Sequence, residues 1–257
     1  MTAGYAHCEP TVSVIMPAYN CEAYIEKAIR SVMGQSFRDW ELIVIDDGSK
    51  DSTRDIIGGL ASEDDRIIFL PNEKNIGVAN TRNRGIEVSR GSYIAFLDSD
   101  DIWCPDKLEL QLARLRESGA DLCYCSYSII DSEDRKAKSD YLVPQSLDFK
   151  GLLRENYIGC STVLLSKEML GAQRFLVDYY HEDYVLWLEL LQNGASAVGC
   201  TEPLVKWRLI QNSRSFDKRR SAAHRWYIYR NHLHFSRCKS CLLFLTYAIN
   251  GIKKYFY

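Results

Sequence analysis

An α/β fold on a mostly parallel sheet flanked by helices is the expectation, and three observations carry it. Apolar runs of strand length alternate with helical patterns through the first 130 residues. The first run, VSVIMP at 12–17, is apolar nearly throughout, as a strand covered on both faces requires. Three strand ends carry polar residues, PAYN, DDGS and DSDD, and ligands of parallel sheets sit outside those carboxyl ends.

The elements follow in order. VSVIMP is closed by Pro17, and CEAYIEKAIRSVMGQ places Ala23, Ile25, Ala28, Ile29 and Val32 at helical spacing. WELIVIDDGS is a second strand ending in acids, and DSTRDIIGGLASE offers a Ser/Asp cap and a second helix. RIIFLP, VANTRNRGIEVS and SYIAFLDSDD read as strand, helix and strand. PDKLELQLARLRESG begins with Pro near the helix start and ends at Gly, and DLCYCSYSII is a fifth strand. Strands spaced by helices in this way build βαβ units.

The stretch 131–150 is polar and irregular and reads as a mobile loop. NYIGCSTVLLSKEML then gives a strand and a short helix. HEDYVLWLELLQNG is a helix with an acidic start, which suits the positive end of its dipole, and Gly194 closes it. ASAVGC and PLVKWRL read as two further strands, and Arg214–Tyr257 as two helices.

Composition excludes several classes. At 257 residues, with 46% hydrophobic and 26% charged side chains, the chain can bury a substantial core. Nine cysteines at irregular spacing do not make a disulfide scaffold, and Cys238-x-x-Cys241 has no partner pair for zinc. No signal peptide is recognisable, and no stretch reaches the ~20 apolar residues of a membrane span. A reducing cytoplasm is the expected compartment.

The net charge of −2 hides an asymmetry. Lys206–Tyr257 holds 12 Lys and Arg against one acid, Asp217, leaving 20 basic and 33 acidic residues before it. A basic tail on an acidic body points to an anionic partner. The last helix is apolar and aromatic between Arg237, Lys239, Lys253 and Lys254, a composition that suits an anionic membrane surface. The alternative is a helix packed on the domain.

Three constellations could carry chemistry. Asp98-Ser99-Asp100 closes a buried strand; if the strand continues, alternation turns Asp98 and Asp100 to one side. Hard oxygen ligands of this kind suit Mg²⁺ or Mn²⁺, completed by substrate phosphates. Asp101 is expected to cap the turn toward Pro105. Asp46-Asp47-Gly48-Ser49 could bind a ribose or a base edge, or merely turn the chain into a capped helix. His181-Glu182-Asp183 could supply a general base or only start a helix.

The run from Val12 through DDGSKDST, continuing through NIGVANTRNRGIEVSRGSYIAFLDSDDIWCPDKLE, resembles the inverting family-two glycosyltransferases of GT-A fold, including bacterial O-antigen and capsule transferases. The match is tight over about 11–125 and looser around HEDYVLWLELLQNG. The resemblance implies a catalytic domain over 1–212, with 11–125 as nucleotide-sugar half and 126–212 as acceptor half, and a helical tail over 213–257. It implies that Pro17, Ala18 and Tyr19 line the nucleotide pocket, Tyr19 near the uracil. Asp47, rather than Asp46, would hold the base, its neighbour supporting the turn.

Gly77 and Arg82 would flank the nucleotide and its sugar or phosphate. Asp98 and Ser99 would meet the sugar nucleotide, and Asp100, with Asp98, would ligate Mn²⁺ or Mg²⁺. Asp183 would be the catalytic base, with Glu182 and Trp187 shaping the acceptor site. Arg208 and Arg214 would meet diphosphate, with Ser213 and Ser215 as weaker candidates. The Q-x-x-R-W signature of processive relatives is replaced by VKWRLIQNSRS, which implies single addition.

The implied reaction is transfer from a UDP-sugar to a lipid-linked glycan at the inner face of the cytoplasmic membrane, without nucleic acid. A nucleotidyltransferase would need a glycine-rich basic loop after the first strand, where PAYNCEAY stands. A catalytically silent relative would have lost Asp100 or Asp183, and both are present.

Overall fold

The computed structural model describes residues 9–210 and 218–256. The first half runs β1 (Val12–Ala18), α1 (Ile25–Met33), β2 (Trp40–Asp46), α2 (Thr53–Glu63), β3 (Ile67–Pro71), α3 (Val78–Val88), β4 (Tyr93–Phe96), β5 (Ile102–Trp103), α4 (Lys107–Ser118) and β6 (Leu122–Ile130). The second half runs β7 (Lys136–Tyr141), β8 (Ser146–Leu147), α5 (Phe149–Arg154), a 3-10 turn (Cys160–Thr162), β9 (Leu164–Ser166), α6 (Lys167–Leu170), α7 (Glu182–Gln192) and β10 (Ala197–Arg208). It ends in α8 (Lys218–Tyr227), a π-helical turn (Ile228–His232) and α9 (Arg237–Phe256).

The sheet has the order β3-β2-β1-β4-β9-β6-β10-β5, with β7 on β6 and β8 on β10. Strands β3, β2, β1 and β4 are mutually parallel, as are β6 and β10. Between these blocks β9 lies antiparallel to both β4 and β6, so the sheet is more mixed than its apolar runs suggest. Three residues are too few to show a period.

Alternation along β1 sends Ile15 to one apolar layer and Val14 and Met16 to the other. Helices α1 and α4 cover the second layer, and α3, α5 and α7 cover the first. At Gly85 an added Cβ would lie 2.4 Å from the Ile15 side chain, so glycine lets α3 settle onto β1. That contact fixes where α3 begins, at the edge of the site.

Several connections differ from expectation. The polar 136–141 segment is not a loop but the edge strand β7, paired antiparallel with β6; its exposed lysines suit an edge. ASAVGC and PLVKWRL form one strand, β10, with register shifts around Pro203. After the 211–217 gap in the description, α8 leads into Ile228 and Tyr229, both fully buried in the first apolar layer. None of the described cysteines is in a disulfide.

Candidate active site

Strand β1 is flanked by β2 on one side and β4 on the other, so the chain diverges there and leaves a crevice beyond the carboxyl ends. A cleft of about 890 Å³ opens at that point. Pro17, Ala18 and half-exposed Tyr19 line one end, with Asp47 and Gly77 beside them. Asp98, Ser99, Asp100 and Asp101 cross its floor, and Glu182 and Asp183 stand on the wall formed by the start of α7. Residues from these five separate segments thus meet where the strand ends predict a ligand.

Asp47 is buried, and its Oδ1 accepts from Asn72 Nδ2 at 2.8 Å and the Ile76 N–H at 2.9 Å. Its Oδ2 accepts from the Gly77 N–H at 2.9 Å. The carboxylate therefore holds the loop that starts α3, where Gly77 takes φ 87°, a region that favours glycine. Asp46 does not line the cleft. One residue earlier on the strand it turns the other way, fully buried, and accepts from Arg54 Nη2 at 2.7 Å and Nε at 3.1 Å. Its role is to tie β2 to α2, and the expected nucleotide contact is withdrawn from it.

Strand β4 stops at Phe96, and Asp98–Asp101 form a turn in which the Asp101 N–H donates to the Asp98 carbonyl at 3.1 Å. The expected strand alternation of Asp98 and Asp100 therefore does not apply. Their charge is relieved partly by the protein itself. Arg82 Nη2 donates to Asp98 Oδ1 at 2.6 Å, and its Nη1 donates to Glu182 Oε1 at 2.8 Å. One buried guanidinium thus spans from the floor to the α7 wall, with the Phe175 ring 5.3 Å away. This is a site role for Arg82, though through carboxylates and not yet a ligand.

Asp101 does not cap the turn toward Pro105. It is buried, accepting from Ser161 Oγ at 2.6 Å and from the Arg208 N–H at 2.9 Å. Ser161 Oγ in turn accepts from the Asp98 N–H at 3.0 Å. These partners lie 60 and 107 residues away, which is why no local signal showed them. Burial and the neighbouring Asp100 and Asp98 push the Asp101 carboxyl well above the usual range.

Arg208 also departs from expectation. Its Nε donates to the Asp100 carbonyl at 2.8 Å, its Nη1 to the Asp131 carbonyl at 2.7 Å, and its guanidinium pairs with Asp134. The side chain is buried and braces the turn through these partners, while Arg208 also lines the cleft. Arg214, Ser213 and Ser215 lie outside the described residues. Trp187 is fully buried, packed on Phe96 and Phe175 with centroids 6.2 and 6.1 Å away. It does not line the cleft, so the expected acceptor contact is withdrawn from it.

Two further carboxyls in the cleft keep their protons to unusually high pH. Asp100 is pushed up to about 6 by burial and then by Asp98. Asp183 is pushed up to about 6 by burial and by Glu182, against the opposing pull of Arg82. Acids poised in this way in a cleft mark a functional site. Among the described residues, no three or more His, Cys, Asp or Glu side chains gather as a metal cage. Asp98 and Asp100 can supply at most two oxygen groups, which is the number Mg²⁺-type sites use when phosphates and water complete the shell. The unrelieved crowding at Asp100 fits such an ion.

Comparison with known proteins identifies the class to which this fold belongs. The model for Glycosyl transferase family 2 matches residues 13–178. The chain belongs to that family and is a glycosyltransferase. It is 39% identical over 248 residues to the putative teichuronic acid biosynthesis glycosyltransferase TuaG of Bacillus subtilis, covering 96% of this chain and 98% of that protein. It is 38% identical to the Escherichia coli UDP-Glc:α-D-GlcNAc-diphosphoundecaprenol β-1,3-glucosyltransferase WfgD, covering 95% and 94% of the two chains.

Among solved structures, TarS 1–349 of S. aureus in complex with UDP-GlcNAc superposes with a TM-score of 0.72 at 17% identity, covering 93% of this chain and 71% of that one. The mannosyltransferase PcManGT of Pyrobaculum calidifontis, in complex with GDP-Man and Mn²⁺, gives 0.69 at 16%, covering 90% and 66%. These likenesses establish the GT-A fold.

Proposed function

We propose that this chain transfers a hexose or N-acetylhexosamine from a UDP-sugar to a hydroxyl of an undecaprenyl-diphosphate-linked glycan, inverting the anomeric centre to a β-linkage. The observation that carries this reading is the high-pKa Asp183 carboxyl facing the Asp98–Asp101 turn across one cleft. Asp183 takes the proton of the acceptor hydroxyl as that oxygen attacks the anomeric carbon, and the bond to the diphosphate breaks. Asp100 and Asp98 would hold a divalent ion, which would supply charge stabilisation to the departing diphosphate. Pro17, Ala18, Tyr19, Asp47 and Gly77 receive the nucleoside, Ser99 and Asp98 its sugar side, and Glu182 the acceptor. WfgD and TarS support the donor and acceptor classes through what their names and complexes state.

Binding of UDP-Glc, UDP-Gal and UDP-GlcNAc, measured calorimetrically with Mn²⁺ and then with EDTA, tests this function. Metal-dependent binding of at least one is expected; binding of none refutes it. Asp100→Asn is expected to abolish the metal-dependent part of that binding. The same change should raise the stability of metal-free protein at pH 7.5 by on the order of 1 kcal/mol, because a raised carboxyl pKa measures the disadvantage of its charged form. Thermal melting of both proteins checks the direction.

We place the enzyme at the cytoplasmic face of the membrane. No helix among the described residues is long and apolar enough to cross one. Helix α9 instead divides its faces. Ser240 is buried, and Leu243 and Phe244 pack on the core, while Leu242, Leu245 and Ile249 are 67%, 59% and 53% exposed. The excess of basic residues in the tail matches an anionic bilayer. Vesicles containing phosphatidylglycerol are expected to float the wild type but not the Leu242→Asp/Leu245→Asp variant, whose changes leave the packed face intact. Equal flotation would remove the membrane from the account.

A further inference from the structure

Past Asp101 the wall of the cleft is aromatic, and no step derived above uses it. Tyr127 of β6 and Trp207 of β10 both line the cleft, their ring centroids 6.1 Å apart and planes at 59°. Strand register brings them together, since Tyr127 pairs with Val205 and Trp207 is the diagonal neighbour. On the other side Tyr141 of β7 faces Tyr127, with centroids 5.0 Å apart, and Tyr157 stacks on Tyr141 at 6.1 Å. Tyr141 OH donates to Glu155 at 2.7 Å, which fixes the back of the cluster. The two rear rings are thus braced, and the two front rings are presented to the cleft.

We propose that Tyr127 and Trp207 form a stacking platform for the pyranose ring of the acceptor. This rests on reading the chain as a transferase to a lipid-linked glycan, and it assigns that acceptor a place. A pyranose presents a face of C–H groups, electropositive and apolar, that complements the negative face of an aromatic ring. Its rim of hydroxyls needs polar partners, and Asn156 lines the same cleft. The nucleobase is assigned instead to Tyr19 and Asp47, which enter the cleft from the ends of β1 and β2. A cluster serving stability alone would close over its own rings, whereas all four remain half-buried. The platform and Asp183 line one cavity, as an acceptor ring and its base require.

The test uses the full chain, UDP-Glc, UDP-Gal and UDP-GlcNAc as donors, and α-GlcNAc diphosphate on a soluble alkyl chain as acceptor probe. Trp207→Leu keeps an apolar side chain in the sheet but removes the ring. It is expected to raise the acceptor KM about tenfold or more, the scale of a stacking contact plus its buried area. The affinity for UDP with Mn²⁺ should stay unchanged, and Trp207→Phe should recover most of the loss. In the wild type with UDP bound, irradiation of aromatic protons is expected to transfer saturation to the C–H protons of the GlcNAc ring.

An unchanged acceptor KM in Trp207→Leu, or a parallel loss of UDP affinity, overturns the platform. So does saturation transfer confined to the alkyl chain, or a wild type that binds UDP-sugar but not this probe. Failure of the underlying reading looks different: the wild type then binds no nucleotide sugar at all, and both proposals fall.

Discussion

Asp183→Asn is expected to lower the rate of transfer by roughly 10²–10⁴-fold, the contribution of a positioned general base, while UDP-sugar binding persists. Asn keeps the shape of the side chain at the start of α7 and removes only the ability to accept a proton. The pH profile of the wild type provides the second readout. Burial and Glu182 push the Asp183 carboxyl up to about 6, so the basic form is lost as pH falls through that value. At saturating donor and metal, kcat should be flat above it and fall about tenfold per pH unit below it. A profile flat down to pH 4.5 would remove Asp183 from the base role. Asp100 titrates in the same region in the metal-free enzyme, so kcat/KM at low metal should fall more steeply than kcat.

Arg82→Met is expected to have the largest effect on stability, about 3–5 kcal/mol, because it leaves buried charge without its partner. Arg82 is itself buried and is held between Asp98 and Glu182, of which Glu182 is buried too. Urea denaturation measures the loss. Arg82→Lys should restore little of it, since one ammonium on a flexible stem cannot reproduce a planar fork spanning two carboxylates. Adding Glu182→Gln to Arg82→Met should recover part of the stability by removing one orphaned charge, giving a non-additive cycle. The same substitution removes a cation that favours ionised Asp183, so the limb of the kcat profile should move to higher pH in any Arg82→Met protein that remains folded. A variant as stable as wild type, with an unmoved limb, would show that the bridge is incidental.

Much of the first 125 residues was legible because its signals are local. β1 and β2 are long apolar runs bounded by turn residues, and βαβ spacing follows from helix length alone. Asp47, Asp98 and Asp100 were visible as acids at strand ends, and the resemblance ranked them. Residues 126–212 were less legible. β7 reads KAKSDY, a polar edge strand without an apolar period, and β9 has three residues. The inward turn of Arg208, the burial of Asp101 and the Glu182 arm of the Arg82 fork depend on partners 60 to 108 residues distant, which no spacing rule reaches. Trp187 was misplaced for a simpler reason, since an aromatic one turn from a catalytic acid can face either the ligand or the core. Tyr127 and Trp207 looked like ordinary strand residues until register joined them.

The crowding of Asp98, Asp100 and Asp101 is answered in three ways. Arg82 neutralises the first, Ser161 and the Arg208 N–H hold the third, and the second is left to a ligand. That division gives each acid a separate consequence on mutation.

The stereochemistry of the product tests the account most directly. With a UDP-α-hexose donor, Mn²⁺ and α-GlcNAc diphosphate on an alkyl chain, the new linkage can be assigned by the H1–H2 coupling of the transferred sugar. A single displacement driven by Asp183 predicts a β-glycoside. An α-linked product would contradict it, because one in-line displacement at an α-linked donor inverts the anomeric carbon.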